Sequence, residues 1–272
     1  KLLDRLSANK LPSNDGGIRL THMLTPLGGI ECEMTITQLG PERFYLNSSI
    51  MGELHDLDWL NQHVGEDEEV SIRDVTDEIA ILAISGPSAR DVLQPLTAAD
   101  LSNASFPWLT GQEIEVAGIP CTALRVSYVG ELGWELHHPI DQMISLYTAL
   151  IDSGATCNLS HYGSYAMNSM RIEKAYKAWG SELTTEITPI EARLERFIDL
   201  SRNFLGSDVV NERKSEKLDM VLVYCEVETN DTDCRGNEPI YVGDDLMGLT
   251  TSGTWSHTTD KSIAFAYVSP EL

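Results

Sequence analysis

A chain of 272 residues with 42 % hydrophobic content is too long for one small core and calls for a packed globular protein of two or three subdomains. Its formal charge of −23 excludes the basic surface that nucleic acids or anionic membranes require, and leaves either a solubilising acidic surface or one that selects a basic partner.

Residues 1–8 read as the end of a helix. Ile18 to Leu24 and Met34 to Leu39 alternate apolar and polar residues as half-buried strands do, and Phe44 to Leu46 adds a short strand. Gly52 to Val64 carries Leu54, Leu57, Leu60 and Val64 near helical spacing. Ile79 to Ser85 is a compact apolar strand, and Gly86-Pro87 opens a helix with Val92, Leu93 and Leu96 inward. Glu113 to Ala117, Thr122 to Tyr128 and Gly133 to His137 are strands. Pro139 to Ser153 is a helix stopped by Gly154, and Tyr162 to Lys177 is another. Residues 201–217 are polar and read as a connector. After it Leu218 to Val227, Glu238 to Val242 and Ile263 to Val268 are strands, with a turn-rich stretch from Gly243 to Gly253. Strand–helix units mixed with hairpins indicate α+β rather than a parallel sheet.

Five cysteines, an odd number with no C-x-x-C pair, argue against a disulfide framework or a zinc site and for a reducing compartment. The seven histidines show no H-E-x-x-H spacing, so no metal is expected. No apolar run approaches the length that spans a bilayer, and no signal-peptide pattern opens the chain.

Two segments carry the most information. Ser127-Tyr-Val-Gly-Glu-Leu-Gly-Trp-Glu-Leu136 reads as strand, glycine turn and strand, with one carboxylate, Glu135, between Trp134 and Leu136. Arg171-Ile-Glu-Lys-Ala-Tyr-Lys-Ala-Trp-Gly-Ser-Glu-Leu183 reads as a helix end running into a Trp-Gly loop. A carboxylate among large apolar residues is costly to bury unless something donates hydrogen bonds to it. A pterin edge offers an amino group and a ring N–H side by side, and its flat face stacks on aromatics.

These segments resemble the folate-binding half of the dimethylglycine and sarcosine dehydrogenase family, itself similar to the aminomethyltransferase (T-protein) of the glycine cleavage system. The resemblance spans nearly the whole chain. It includes Leu20-Thr-His-Met-Leu-Thr-Pro26, Glu53-Leu-His-Asp-Leu57, Asp100-Leu-Ser-Asn103, Trp179-Gly-Ser-Glu-Leu183, Thr188-Pro-Ile-Glu-Ala192, Thr251-Ser-Gly253 and the run Lys261 to Val268. It implies an α+β T-protein-like fold: a folate-binding domain over 1–200 in two subdomains, a connector over 201–217, and the start of an incomplete C-terminal β-barrel over 218–272. It also implies further residues before Lys1 and after Leu272. No G-x-G-x-x-G flavin signature occurs, so FAD is expected only on a separate or missing N-terminal domain, and no oxidase activity from this chain alone.

The resemblance implies the site. Glu135 becomes a two-oxygen acceptor for the pterin edge; the alternative is a strand glutamate facing solvent. Tyr128 lines the folate slot or fills core, and Glu131 is a turn residue. Glu33, after the Gly28-Gly29 turn, faces the reactive nitrogens of the folate as general base or electrostatic partner, where many relatives carry Asp. Glu31 competes for that role. Arg171 approaches the folate and Glu33, or pairs with Glu173 or Glu182. Trp179 and Tyr176 stack on the ligand or fill core. His22 reads as structural. Arg193 stands where relatives usually have Gly.

The expected function is tetrahydrofolate binding and capture of the carbon from an oxidised N-methyl amine (dimethylglycine or sarcosine), giving 5,10-methylenetetrahydrofolate. The alternatives are an aminomethyltransferase acting on a lipoyl carrier protein, and a non-catalytic folate-binding or regulatory relative. A flavin oxidase domain or subunit is the expected partner, in a bacterial cytoplasm or a mitochondrial matrix.

Overall fold

The computed structural model describes residues 1–272 and has three sheets with helices packed between and around them. The first sheet is β1 (Ile18–Leu24), β2 (Ile30–Gly40) and β3 (Arg43–Ser48) in consecutive antiparallel order. α1 (Leu2–Leu6) and α2 (Glu53–Gln62) cover one face of it. The burial of β2 alternates: Cys32, Met34 and Ile36 enter a core with Leu2, Leu6, Met23 and Leu60, while Glu31, Glu33 and Thr35 point the other way. That alternation follows from the two-residue period of a strand and lays three polar side chains on one face.

The second sheet runs β4 (Ile79–Ser85), β7 (Gly133–Pro139), β6 (Ile119–Leu124), β5 (Gly111–Val116). α3 (Ala89–Leu93) and α4 (Met143–Gly154) close its apolar face, burying Val92, Leu93, Leu146 and Trp134 together. Trp134 is fully buried, with the guanidinium carbons of Arg90 and Arg125 5.7 and 5.6 Å from its ring centroid. A backbone bridge between Gly17 and Thr110 splices the first two sheets.

The third sheet, β8 (Val221–Val227), β11 (Lys261–Val268), β10 (Asp245–Ser256), β9 (Pro239–Val242), is antiparallel and open. α5 (Ser164–Glu173) packs on β10 and β11. The Ser169 hydroxyl donates to the Trp255 carbonyl over 2.7 Å. Glu173 accepts from the Thr258 hydroxyl at 2.6 Å and from Ser256 and the Thr258 N–H at 3.0 Å.

Four expected elements differ. The helix expected to Lys177 ends at Glu173 because Ala175 turns left-handed (φ 55°) and closes a Schellman pattern, Ala175 N–H to Ile172 O and Tyr176 N–H to Arg171 O. The strand expected from Thr122 to Tyr128 starts at Ile119 and stops at Leu124. The connector contains a short helix, α6 (Ser207–Arg213). The turn-rich stretch after Gly243 is most of the 12-residue β10, whose bulge at Thr250–Ser252 lets small polar residues sit in a strand.

Candidate functional site

β7 and the first sheet meet through side chains. Because Trp134 and Leu136 enter the core, Glu135 projects from the opposite face of β7. There it meets the β3 residues rather than open solvent, and its side chain is 22 % exposed. Asn47 Nδ2 donates to Glu135 Oε2 at 3.4 Å, and His137 Nε2 lies 3.4 Å from the same oxygen. On its other side His137 Nδ1 is 2.9 Å from the Tyr45 hydroxyl. Burial, and then the charge of Glu135, push the Tyr45 phenol up to about 12. Tyr45 therefore stays a donor near neutrality, His137 Nδ1 accepts, and His137 Nε2–H points at Glu135. Both contacts to Glu135 are long and use one oxygen, which leaves acceptor capacity for a donor edge.

Glu33 lies on the same face of β2 as Thr35, the residue paired with Asn47. Two residues along a strand is about 7 Å, so Glu33 sits one step from the Asn47–Glu135 contact. Its cross-strand partner is His22, and His22 Nε2 is 3.2 Å from Glu33 Oε1. His22 is fully buried and its Nδ1 has no hydrogen-bond partner. A neutral ring with the proton on Nε2 donates to Glu33 and leaves only a lone pair unmatched. The competing carboxylate, Glu31, is taken by His55 Nε2 at 2.8 Å.

The loop after α5 forms the adjoining wall. Tyr128 and Tyr176 stack with centroids 6.4 Å apart and planes 28° apart. The Tyr128 hydroxyl donates to the Lys177 carbonyl at 3.0 Å. Burial raises the Tyr128 phenol to about 12; Arg171 opposes the rise, and Glu33 and Glu182 add to it, so these charges all lie near that ring. Trp179 sits over His55 at 5.5 Å, half-buried, with its indole N–H enclosed and unpartnered. Lys177 is held below the usual lysine range, by burial first and then by Arg196. Glu131 lies at the turn and pairs with exposed Lys174 at 3.4 Å.

Arg171 is buried and pairs with Glu182, one of the two alternatives to Glu33, at 2.7 Å. It makes no ion pair with Glu33. It also donates to the Tyr176 carbonyl at 2.9 Å and to Asn168 Oδ1 at 3.0 Å. Glu182, wholly buried, accepts further from the Ala178 N–H at 2.9 Å, from Thr251 Oγ1 at 2.8 Å and from Ser252. Four donors around one carboxylate meet the cost of burying the charge. The Trp179–Leu183 and Thr251–Gly253 motifs thus meet in one network, which fixes the loop that carries Tyr176 and Trp179.

Sequence reading missed Asn47, Tyr45 and His137, and treated His22 as structural only. Tyr45 and Asn47 share the face of an alternating strand, a weak signal, and nothing local pairs them with β7. The Gly28-Gly29 turn has a clear cause: a Cβ on Gly29 would lie 1.8 Å from the Thr185 carbonyl oxygen. Arg193, where relatives usually have Gly, has φ 54° and completes another Schellman pattern, with Leu194 N–H on Pro189 O and Arg193 N–H on Ile190 O.

Comparison with known proteins settles the family. Residues 1–202 match the GCVT N-terminal domain, and residues 221–272 match the glycine cleavage T-protein C-terminal barrel domain. The chain belongs to the glycine cleavage T-protein family. It is 41 % identical over its whole length to human dimethylglycine dehydrogenase, mitochondrial, and spans 32 % of that protein. It is 32 % identical to an aminomethyltransferase of Thermoanaerobacter sp., over 98 % of this chain and 72 % of the other. The fold matches glycine cleavage system aminomethyltransferase T from Bartonella henselae with a TM-score of 0.85, at 22 % identity, over 98 % of this chain and 72 % of that one. The open four-stranded sheet stands where the family has its C-terminal barrel. No helix is long and apolar enough to cross a membrane.

Proposed function

We propose that the chain is a tetrahydrofolate-binding, one-carbon-transfer module of a dimethylglycine- or sarcosine-dehydrogenase-type protein. The observation that carries the reading is a juxtaposition: Glu135 with unused acceptor capacity, Glu33 one step away and held by a buried histidine, and a stacked tyrosine pair beside them. That set fits a flat heterocycle with a donor edge and an amine near its far end. Tetrahydrofolate, when bound, would supply the two N–H nitrogens that take up the carbon of an iminium formed by oxidising an N-methyl amine, giving 5,10-methylenetetrahydrofolate. The demethylated amine leaves with one of the two N–H protons and the other is released.

The residues have separate tasks. Glu135 accepts the pterin edge, oriented by Asn47 and His137. Tyr128 and Tyr176 line the slot and keep water from it. Glu33, steadied by His22, accepts the proton lost when the carbon is captured. Arg171 is a positioning residue that acts through Glu182 and the Tyr176 carbonyl on the slot wall. A flavin domain or subunit is the partner that would supply the oxidised amine.

The test is a transfer assay. The chain is given tetrahydrofolate and a separate flavin amine oxidase with sarcosine, and methylenetetrahydrofolate is followed. The expected result is that wild type accelerates capture above the spontaneous reaction, while Glu33→Gln keeps folate affinity and loses about 10²-fold or more of the acceleration. Equal rates with and without the chain would reject the transferase role.

A further inference from the structure

A cluster of different chemistry sits where β2 meets α2. Cys32 Sγ, a ring nitrogen of His55 and a carboxylate oxygen of Asp56 all lie within 4.8 Å of one another. Cys32 and Asp56 are buried, and His55 is at the rim. Both ring nitrogens of His55 face carboxylates: Nδ1 is 2.9 Å from Asp56 Oδ1 and Nε2 is 2.8 Å from Glu31 Oε1.

A neutral imidazole carries one N–H and can satisfy one of these carboxylates. If that proton is on Nε2, toward Glu31, then a lone pair, a carboxylate and a sulfur converge on one small volume. Either a second ring proton or a metal cation resolves that convergence. The hydrogen bond to Asp56, then the one to Glu31, favours the cationic ring. The thiol, the imidazole and the carboxylate gathered within 4.8 Å of one another make a ready ligand set for a metal. The pattern also matches a metal-bound histidine, whose second ring nitrogen nearly always donates to a carboxylate or carbonyl behind it. Thiolate, imidazole and carboxylate together suit a borderline divalent ion and disfavour magnesium or calcium, which take all-oxygen shells.

We propose that Cys32, His55 and Asp56 form a zinc-type divalent cation site, with Glu31 as the outer carboxylate that orients His55. Three protein donors leave the fourth tetrahedral position to water or to another ligand. Binding replaces the Cys32 thiol proton, which leaves to solvent, and no oxidation or reduction is involved. The thiol is otherwise inert: burial, and then the charge and hydrogen bond of Asp56, push it far up. The ion pins the first turn of α2 to β2 and fixes His55 under Trp179, at the edge of the slot. The proposal does not rest on the folate reading, since it uses none of the slot carboxylates.

The probe is cobalt(II), titrated into the metal-stripped full chain and followed by absorption. The expected result is a thiolate-to-cobalt charge-transfer band with tetrahedral visible bands, saturating at one equivalent and bleached by zinc. The charge-transfer band is lost in Cys32→Ser, and Glu31→Gln weakens binding by about 10- to 100-fold with the band retained. Should Cys32→Ser fail to fold by circular dichroism, His55→Ala, at an exposed position, must weaken binding and alter the visible bands. Folded wild type that gives no charge-transfer band overturns the proposal. So does a band that survives in Cys32→Ser, which would assign it to another thiol.

Discussion

Glu135 shows how much one strand period decides. Its neighbours Trp134 and Leu136 are fixed in the core, so the glutamate must face β3, and its chemistry follows from what β3 presents there. Its placement was legible in the sequence because a buried tryptophan sets the phase of the strand. Its partners were not, because Asn47 and Tyr45 lie on a strand 88 and 92 residues away from their β7 contacts. The cation cluster escaped for the same reason: Cys32 and His55 are on separate elements and fit no ligand spacing. Arg193 is the opposite case. It was visible as a departure from the family, and its left-handed backbone gives the departure a cost. An L-residue there loses about 1 kcal/mol relative to glycine, so Arg193→Gly is expected to raise unfolding stability by about that amount in a denaturant titration. No gain would mean that the exposed side chain makes a compensating contact.

At the scale of elements, two turns build the site. The Gly28-Gly29 turn docks on the 184–188 segment, with Ile30 N–H on the Thr184 and Ile187 carbonyls at 3.1 and 3.0 Å. Gly29→Ala forces a Cβ into the Thr185 carbonyl, and is expected to cost about 3 kcal/mol or more, read as a lowered denaturant midpoint at unchanged slope. The second turn is the left-handed Ala175, which ends α5 a turn earlier than its sequence suggests. Residues 174–177 have no glycine or proline to announce a stop; the stop comes from Arg171 reaching Glu182 and the Tyr176 carbonyl, a tertiary cause. The far side of α5 adds a pH-dependent clasp. Burial alone would raise the Glu173 carboxyl, but hydrogen bonds from Thr258, Ser256 and the backbone hold it below its ordinary 4.5. A depressed carboxylate stabilises the fold above its unfolded value and loses that contribution as pH falls through the folded one. Stability should therefore fall below about pH 4.5 less steeply in Glu173→Gln than in wild type, measured by denaturant midpoints across the acid range.

For the whole molecule the excess of 42 acidic over 19 basic residues dominates. Such a surface repels itself, and added salt screens it over about 8–10 Å at physiological ionic strength. The melting temperature at neutral pH should rise when sodium chloride goes from low to moderate concentration; a fall would mean that surface ion pairs such as Lys261–Glu226 matter more than the net charge. The three-sheet plan was foreseen as α+β with a β-rich end because strand alternation and helix stripes are local signals. What joins the sheets was not foreseen, since the joint is made of Glu182, Thr251 and Ser252, polar residues that meet only in the folded chain. That joint ties the third sheet to the slot wall, so the end of the chain contributes to the site it does not touch.

We propose Glu135 as the acceptor for a folate's pterin edge. Anaerobic calorimetry of tetrahydrofolate binding, wild type beside Glu135→Gln and Glu33→Gln, tests it most directly. A lost hydrogen bond to a charged group is worth about 1.5–3 kcal/mol, so Glu135→Gln should weaken binding roughly ten- to hundredfold while Glu33→Gln leaves it near wild type. Wild type that binds no tetrahydrofolate, or equal affinity in wild type and Glu135→Gln, would contradict the assignment.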